Sequence, residues 1–183
     1  MRNQRHRPEG VRKVPFSDAQ GKDAALDWYR QIAPATVVDI GAGSGTYAKL
    51  MRPAYTARWT AIEAWEPYAA RFDLIDHYDD IHIADARDLG SPAFDADLVI
   101  AGDVLEHMAY ADARGLLARI KQTARNLIVS IPVLHLDQGA AFGNPFERHI
   151  DHWTADAMRD ELGDGVKAEW VGNVLGYFWW QRT

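Results

Sequence analysis

The chain has no cysteine, which excludes disulfides, thiolate zinc sites and cysteine nucleophiles. It also has no apolar run near the roughly 18 residues needed to cross a membrane. Its basic start lacks the apolar stretch of a secretory signal, so the expected location is cytoplasmic, with no membrane partner. Positive charge is in deficit: 20 Lys and Arg stand against 26 Asp and Glu, for a net charge of -6. That balance argues against a nucleic-acid partner held by bulk electrostatics. Internal repeats and low-complexity tracts are absent too.

What is present is an ordinary globular balance, 48% apolar and 25% charged over 183 residues, enough for one domain with a substantial core. Residues 1–16 stand apart. Arg2, Arg5, Arg7, Arg12 and Lys13 lie among Asn, Gln, Pro and Gly, which reads as a flexible basic arm or one that meets an anionic substrate. From Ser17 the pattern alternates. Ser17 is expected to cap a helix through about Ile32, which Ala33-Pro34 stops. Thr36–Ile40 reads as a buried strand, broken by glycines, with a short helix to Leu50. Further strands are expected at Thr56–Glu63, Ile81–Ala84, Asp97–Ala101 and Asn126–Ile131, with helices from Pro67 to about His77 and from Asp112 to Thr123. Such alternation implies an α/β fold, a doubly wound and mostly parallel sheet. The ending differs. Thr154 caps a helix that Gly163 terminates, and the strand-like runs Val166–Val171 and Val174–Gln181 are separated only by Gly172-Asn173. A connector that short forces an antiparallel hairpin.

A parallel sheet finished by such a hairpin resembles the class I, Rossmann-like S-adenosylmethionine-dependent methyltransferase fold, here over one domain at 17–183. The segment Val38-Asp39-Ile40-Gly41-Ala42-Gly43-Ser44-Gly45 is similar to the signature of that family. Glycines let the backbone turn sharply and approach a ligand closely, and the amides that open the next helix suit a carboxylate. The resemblance implies S-adenosyl-L-methionine as cofactor, on Asp39, Gly41, Gly43 and Gly45, with Asp39 receiving the amino group. It further implies that Glu63 accepts the ribose hydroxyls, that Trp65 beside Ala64 packs on the adenine, and that Asp85 and the Ala86 amide meet the adenine edge. Gly43-Ser44-Gly45-Thr46-Tyr47-Ala48 also fits a looser dinucleotide pattern, which keeps a dehydrogenase as a distant rival.

After the fourth strand comes Gly102-Asp103-Val104-Leu105-Glu106-His107-Met108, similar to a segment of small-molecule methyltransferases such as the quinone O-methyltransferases. Asp103, Glu106 and His107 would share one face of a helical turn. Asp103 belongs among the expected cofactor contacts, and Asp103 and His107 are the candidate catalytic residues, with His107 as general base. Together with the later segment Glu147–Thr154, this pattern also resembles the magnesium site of small-RNA 2′-O-methyltransferases, which would make Glu106, His107 and His149 a metal set. The metal-free reading is preferred: two imidazoles make a soft site for magnesium, and a positioned sulfonium reacts without a strong base.

The expected function is methyl transfer from S-adenosylmethionine to a hydroxyl or amine of a small molecule. Two alternatives stand beside it: an RNA-end methyltransferase of the 2′-O type, with or without metal assistance, and a cofactor-binding module without turnover. Nothing in the sequence names the acceptor or the oligomeric state.

Overall fold

The computed structural model describes residues 19–135 and 137–183. The basic arm and Ser17 lie outside the described residues. Strands β1 Thr36–Ile40, β2 Arg58–Glu63, β3 Asp80–Ile83, β4 Leu98–Gly102, β5 Asn126–Pro132, β6 Val166–Val171 and β7 Leu175–Gln181 form one sheet in the order β3-β2-β1-β4-β5-β7-β6. The pairs among β1 to β5 are parallel, while β7 runs antiparallel to both β5 and β6. This is the mostly parallel sheet with an antiparallel terminal hairpin that the alternation of the sequence implies. Its connector covers 172–174 rather than two residues, because Val174 stays outside the strand and Gly172 donates its amide to the Leu175 carbonyl.

Five helices accompany the sheet: α1 Lys22–Ile32, α2 Thr46–Met51, α3 Glu66–Arg71, α4 Tyr110–Thr123 and α5 Ala155–Leu162. Successive strand residues face opposite layers. Val37, Leu98, Ile100 and Ile128 pack with Ala25, Trp28 and Tyr29 of α1 and with Tyr47 and Met51 of α2. Val38, Val99, Ala101, Leu127 and Val129 pack instead with Leu116, Leu117 and Ile120 of α4 and Met158 of α5. A strand buried on both faces has to be apolar at every position, which is why β5 reads almost continuously so and is buried along its whole length.

Two helix boundaries differ from expectation. The first helix starts at Lys22, after Gly21 in a left-handed conformation (φ 76) that an α-helix does not contain. The helix opened by Pro67 stops at Arg71, and the chain bends through Asp73 (φ 50) into a single 3-10 turn, Leu74–Asp76, instead of running to His77. Thr154 behaves as expected, its hydroxyl accepting the Ala157 amide at 3.1 Å, and Gly163, at a positive φ of 66, ends α5.

Candidate active site

The chain order reverses between β1 and β4, and an open α/β sheet leaves a crevice at the carboxyl ends of its strands at such a point. A cavity of about 500 Å³ occupies it, a size usual for small-molecule sites. Its walls come from the loops after β1, β2, β3, β4 and β5, so the glycine loop, Glu63, Ala64, Asp85, Ala86, Asp103, Glu106, His107 and His149 all border one space.

The loop after β1 has the backbone that its glycines permit. Gly41, Gly43 and Gly45 have φ of 67, 54 and 72. A side chain at Gly41 would bring its Cβ within 2.6 Å of a Val104 methyl, whereas one at Gly43 would meet nothing nearer than the Gly41 carbonyl at 3.6 Å. Gly41 thus serves close packing of two loops, and Gly43 leaves open space beside the cavity. Gly45 starts α2 and lies off the cavity wall.

Glu63, only 4% exposed, ends β2. One carboxylate oxygen accepts the Gly43 amide and the other accepts the Trp65 amide, each at 2.8 Å. A carboxylate oxygen has two lone pairs, so each retains capacity for a ligand hydroxyl. Burial pushes its pKa up, and these amides pull it back.

Asp39 lies beneath the loop rather than on the cavity wall. Its Oδ2 accepts the Tyr78 hydroxyl at 2.6 Å, its Oδ1 is buried without a partner, and burial pushes the carboxyl up to about 7. Asp85 does reach the cavity, where it is chelated by the Arg87 guanidinium and caps the turn Ala86–Asp88 by accepting the Arg87 amide at 2.9 Å. Those bonds hold its pKa below the usual carboxylate range. Trp65 is half-buried but does not line the cavity, so its indole stands apart from the wall that Ala64 helps to form.

At the fourth strand the expectation of one helical turn is only partly met. Asp103 takes a left-handed conformation (φ 55), which a short polar side chain tolerates, and only Leu105–His107 form a 3-10 turn. Asp103 is fixed twice to β5: its amide donates to the Ser130 carbonyl at 3.1 Å, and the Ser130 hydroxyl donates to its Oδ1 at 2.8 Å. Its carboxylate is thus tied to β5 instead of sitting on a helical turn with Glu106 and His107.

The Glu106 carbonyl accepts the amides of Ile150 (2.8 Å) and Asp151 (3.2 Å), which folds the loop after β5 back over the loop after β4. Asp151 then accepts the Tyr110 amide at 2.6 Å, and Tyr110 stacks on Trp153 with ring centroids 4.2 Å apart. This clamp sets His149 edge-on to His107, centroids 4.9 Å apart, and brings ligand atoms of Glu106, His107 and His149 within 4.8 Å of one another. The three residues named from sequence as a metal set thus come together. Glu106 is 2% exposed, its Oε2 has no partner, and burial together with the Asp103 charge raises its pKa well above the carboxylate range. A carbonyl can only accept, so His107 donates Nδ1–H to the Arg148 carbonyl (3.2 Å), leaving Nε2 as an acceptor. Burial and His149 lower His107 to about 4, so its ring is neutral near pH 7. As metal donors, one carboxylate and two imidazoles suit zinc, manganese or iron better than magnesium.

Several cavity residues were not singled out from sequence. Tyr68 of α3 donates its hydroxyl to Glu147 at 3.0 Å, and Gln138 donates its side-chain amide to the Glu147 carbonyl at 2.7 Å. Burial raises the Glu147 carboxyl. Tyr47 shares its hydroxyl with Ser130 (3.0 Å) and Tyr177 (3.2 Å) and lines the cavity beside Asp103. Only Glu147 had a sequence signal, as the first residue of the acid- and imidazole-rich run before Thr154.

The glycine loop with open space at Gly43, the strand-end carboxylates and the cavity size together fit an adenosyl amino-acid cofactor. Comparison with known proteins agrees on the fold. A family model described as "Methyltransferase domain" matches residues 16–164. No curated protein matches the chain. Among solved structures, the N-terminal domain of EvdMO1 with SAH bound superposes with a TM-score of 0.65 at 14% identity, over 91% of this chain and 82% of that one. Human N-acetylserotonin methyltransferase in complex with SAM gives 0.65 at 18% identity, over 89% of this chain and 52% of that one. The small RNA methyltransferase HEN1 gives 0.69 at 17% identity, over 95% of this chain but 27% of that much longer one. The chain belongs to the methyltransferase-domain family and has the class I S-adenosylmethionine-dependent methyltransferase fold.

Proposed function

We propose that this protein transfers a methyl group from S-adenosylmethionine to a hydroxyl or amine of a small molecule. The observation that carries the reading is the continuity of one cavity, from the glycine loop and Glu63 at one end to His107 and His149 at the other. Gly41, Gly43 and Glu63 would hold the amino-acid and ribose parts, Asp85 and the Ala86 amide the adenine, and Asp103 the region between donor and acceptor. Asp39 would act from below, its buried Oδ1 answering the amino group through an intervening water or a small shift of the loop.

The cofactor supplies a methyl group on a sulfonium centre, already activated toward a nucleophile. The protein's part is to align the acceptor, exclude water and take the acceptor proton. Neutral His107 can receive that proton at Nε2, because its Nδ1–H is committed to the Arg148 carbonyl. Its depressed basicity suits a reaction in which the proton leaves with, or after, the methyl transfer.

Calorimetry tests the reading directly. S-adenosylmethionine and its demethylated product should bind, and NAD should not. Binding of NAD with no response to either sulfur compound would overturn it. A second reading, methyl transfer assisted by a divalent ion on Glu106, His107 and His149, draws support from the convergence of their ligand atoms.

A further inference from the structure

The charge of the cavity is one-sided. Glu63, Asp85, Asp103, Glu106, Asp137 and Glu147 line it, and among the described residues Arg87 is the one Lys or Arg on its wall. That guanidinium is bound to Asp85, at the cofactor end. The acceptor end, formed by the loops after β4 and β5, holds Glu106 and Glu147 with no lysine or arginine lining it. Arg148 is exposed and off the wall, and Arg71 lies over the Phe142 ring, 4.3 Å from its centroid. Glu147 is within electrostatic reach of Glu106. The arrangement is more than an acidic patch, because Glu106 is 2% exposed and its Oε2 has no partner in the protein. A buried carboxylate oxygen without a donor is costly unless a ligand supplies one.

Resting on the methyltransferase reading above, we propose that the acceptor is a cationic amine whose ammonium group is received by Glu106 and Glu147. The ammonium is an anchor. The group that takes the methyl is a separate hydroxyl or amine on the same molecule, held toward His107. An ammonium group carries three donors and no acceptor, which suits the unpartnered Glu106 oxygen, and its charge would displace the proton that burial favours on Glu106 in the free protein. Glu147 is already held in place for this: Tyr68 donates to Oε1, and Gln138 donates to its carbonyl and, at a long 3.5 Å, to Oε2. Anionic acceptors, among them carboxylic acids and RNA ends, would find acceptor oxygens at this end and no lysine or arginine to pair with.

The test uses the full chain saturated with SAH, and three probes that share one ring and differ at one end: tyramine, tyrosol and 4-hydroxyphenylacetate. SAH binding is measured first; its failure would overturn the cofactor reading rather than the amine inference. With SAH bound, tyramine should bind at least roughly tenfold tighter than tyrosol, a difference of about 1.4 kcal/mol, and the carboxylate should not register. Glu147→Gln, checked for folding by circular dichroism and for retained SAH binding, should erase the amine preference. Glu106→Gln provides a second variant should Glu147→Gln fail to fold. Equal or tighter binding of the neutral or anionic probe would overturn the proposal. So would a failure of tyramine and of a wider set of alkyl amines and polyamines to bind the SAH-saturated protein.

Discussion

The carboxylate of Glu63 accepts the Gly43 amide at 2.8 Å, so the residue at the end of β2 holds the glycine loop that follows β1. Its other oxygen holds the Trp65 amide. One side chain therefore both shapes the loop and faces the cavity, and Glu63→Ala should show both losses. Two amides left without partners cost about 1–3 kcal/mol each unless water replaces the carboxylate. Loss of the expected ribose contacts should weaken SAH binding by about 1.5–3 kcal/mol, roughly ten- to a hundredfold. Thermal unfolding and calorimetry read the two effects separately. An unchanged dissociation constant in a folded variant would remove Glu63 from the cofactor site.

Burial raises Asp39 to about 7, so the folded protein prefers its protonated form. The sign follows from linkage. Stability from this residue is fully present below its unfolded value near pH 4 and declines as pH rises through about 7. Asp39→Asn is neutral throughout and can still accept the Tyr78 hydroxyl at its carbonyl oxygen. The variant should therefore match the parent near pH 4 and exceed it by up to a few kcal/mol at pH 8, read from denaturant midpoints at each pH. At pH 8, where the parent's Asp39 is ionised, it should also bind SAH more weakly, because the charge that answers the amino group is gone. A stability difference that stays flat between pH 4 and pH 8 would contradict the burial account.

A methyl at Gly102 would overlap the ring of Tyr47. That ring cannot swing aside freely, because its hydroxyl is tied to Ser130 and Tyr177 and the side chain is 5% exposed. Gly102→Ala should cost about 1–3 kcal/mol by overpacking, a drop of several degrees in melting temperature. It should also disturb Asp103, which the Ser130 hydroxyl holds from the other side. Near-parental stability would mean that Tyr47 yields without losing its bonds.

The strands were legible because their burial leaves a direct trace: Val37 and Val38 must both be apolar when they face opposite layers. The strand-end acids Asp39, Glu63 and Asp85 were legible for a related reason, since parallel strands place their carboxyl ends at one edge. Their orientation was not legible. Whether Asp39 faces a ligand or the Tyr78 hydroxyl depends on a side chain 39 positions away. The Glu147 contact with Tyr68 spans 79 positions and exists only because the loop after β5 folds back onto the Glu106 carbonyl. Main-chain bonds of that kind leave no mark on residue type. The late start of the first predicted helix and the early stop of the one opened by Pro67 are milder cases, set by left-handed turns at Gly21 and Asp73.

The competing accounts of Glu106, His107 and His149 separate on chelation. An ion held by these residues would gain two imidazole nitrogens and one buried carboxylate, and would leave open positions for an acceptor oxygen. Binding would also have to displace the proton that burial favours on Glu106, at a cost to affinity. Without an ion, His107 takes the acceptor proton at Nε2 and His149 shapes the pocket wall against it. We expect the second outcome: with an acceptor identified through the amine probes, turnover should persist in EDTA and gain nothing from added magnesium or manganese. His107→Ala should then lower kcat by roughly a hundredfold or less, the lower end of what general-base catalysis contributes, because the methyl donor is already activated. Titration of the chelated protein with manganese, followed by the electron paramagnetic resonance of the free ion, gives a readout independent of any acceptor. Stoichiometric manganese uptake lost in His149→Ala, together with activity abolished by EDTA and restored by the metal, would overturn the histidine account and make the three residues a metal centre.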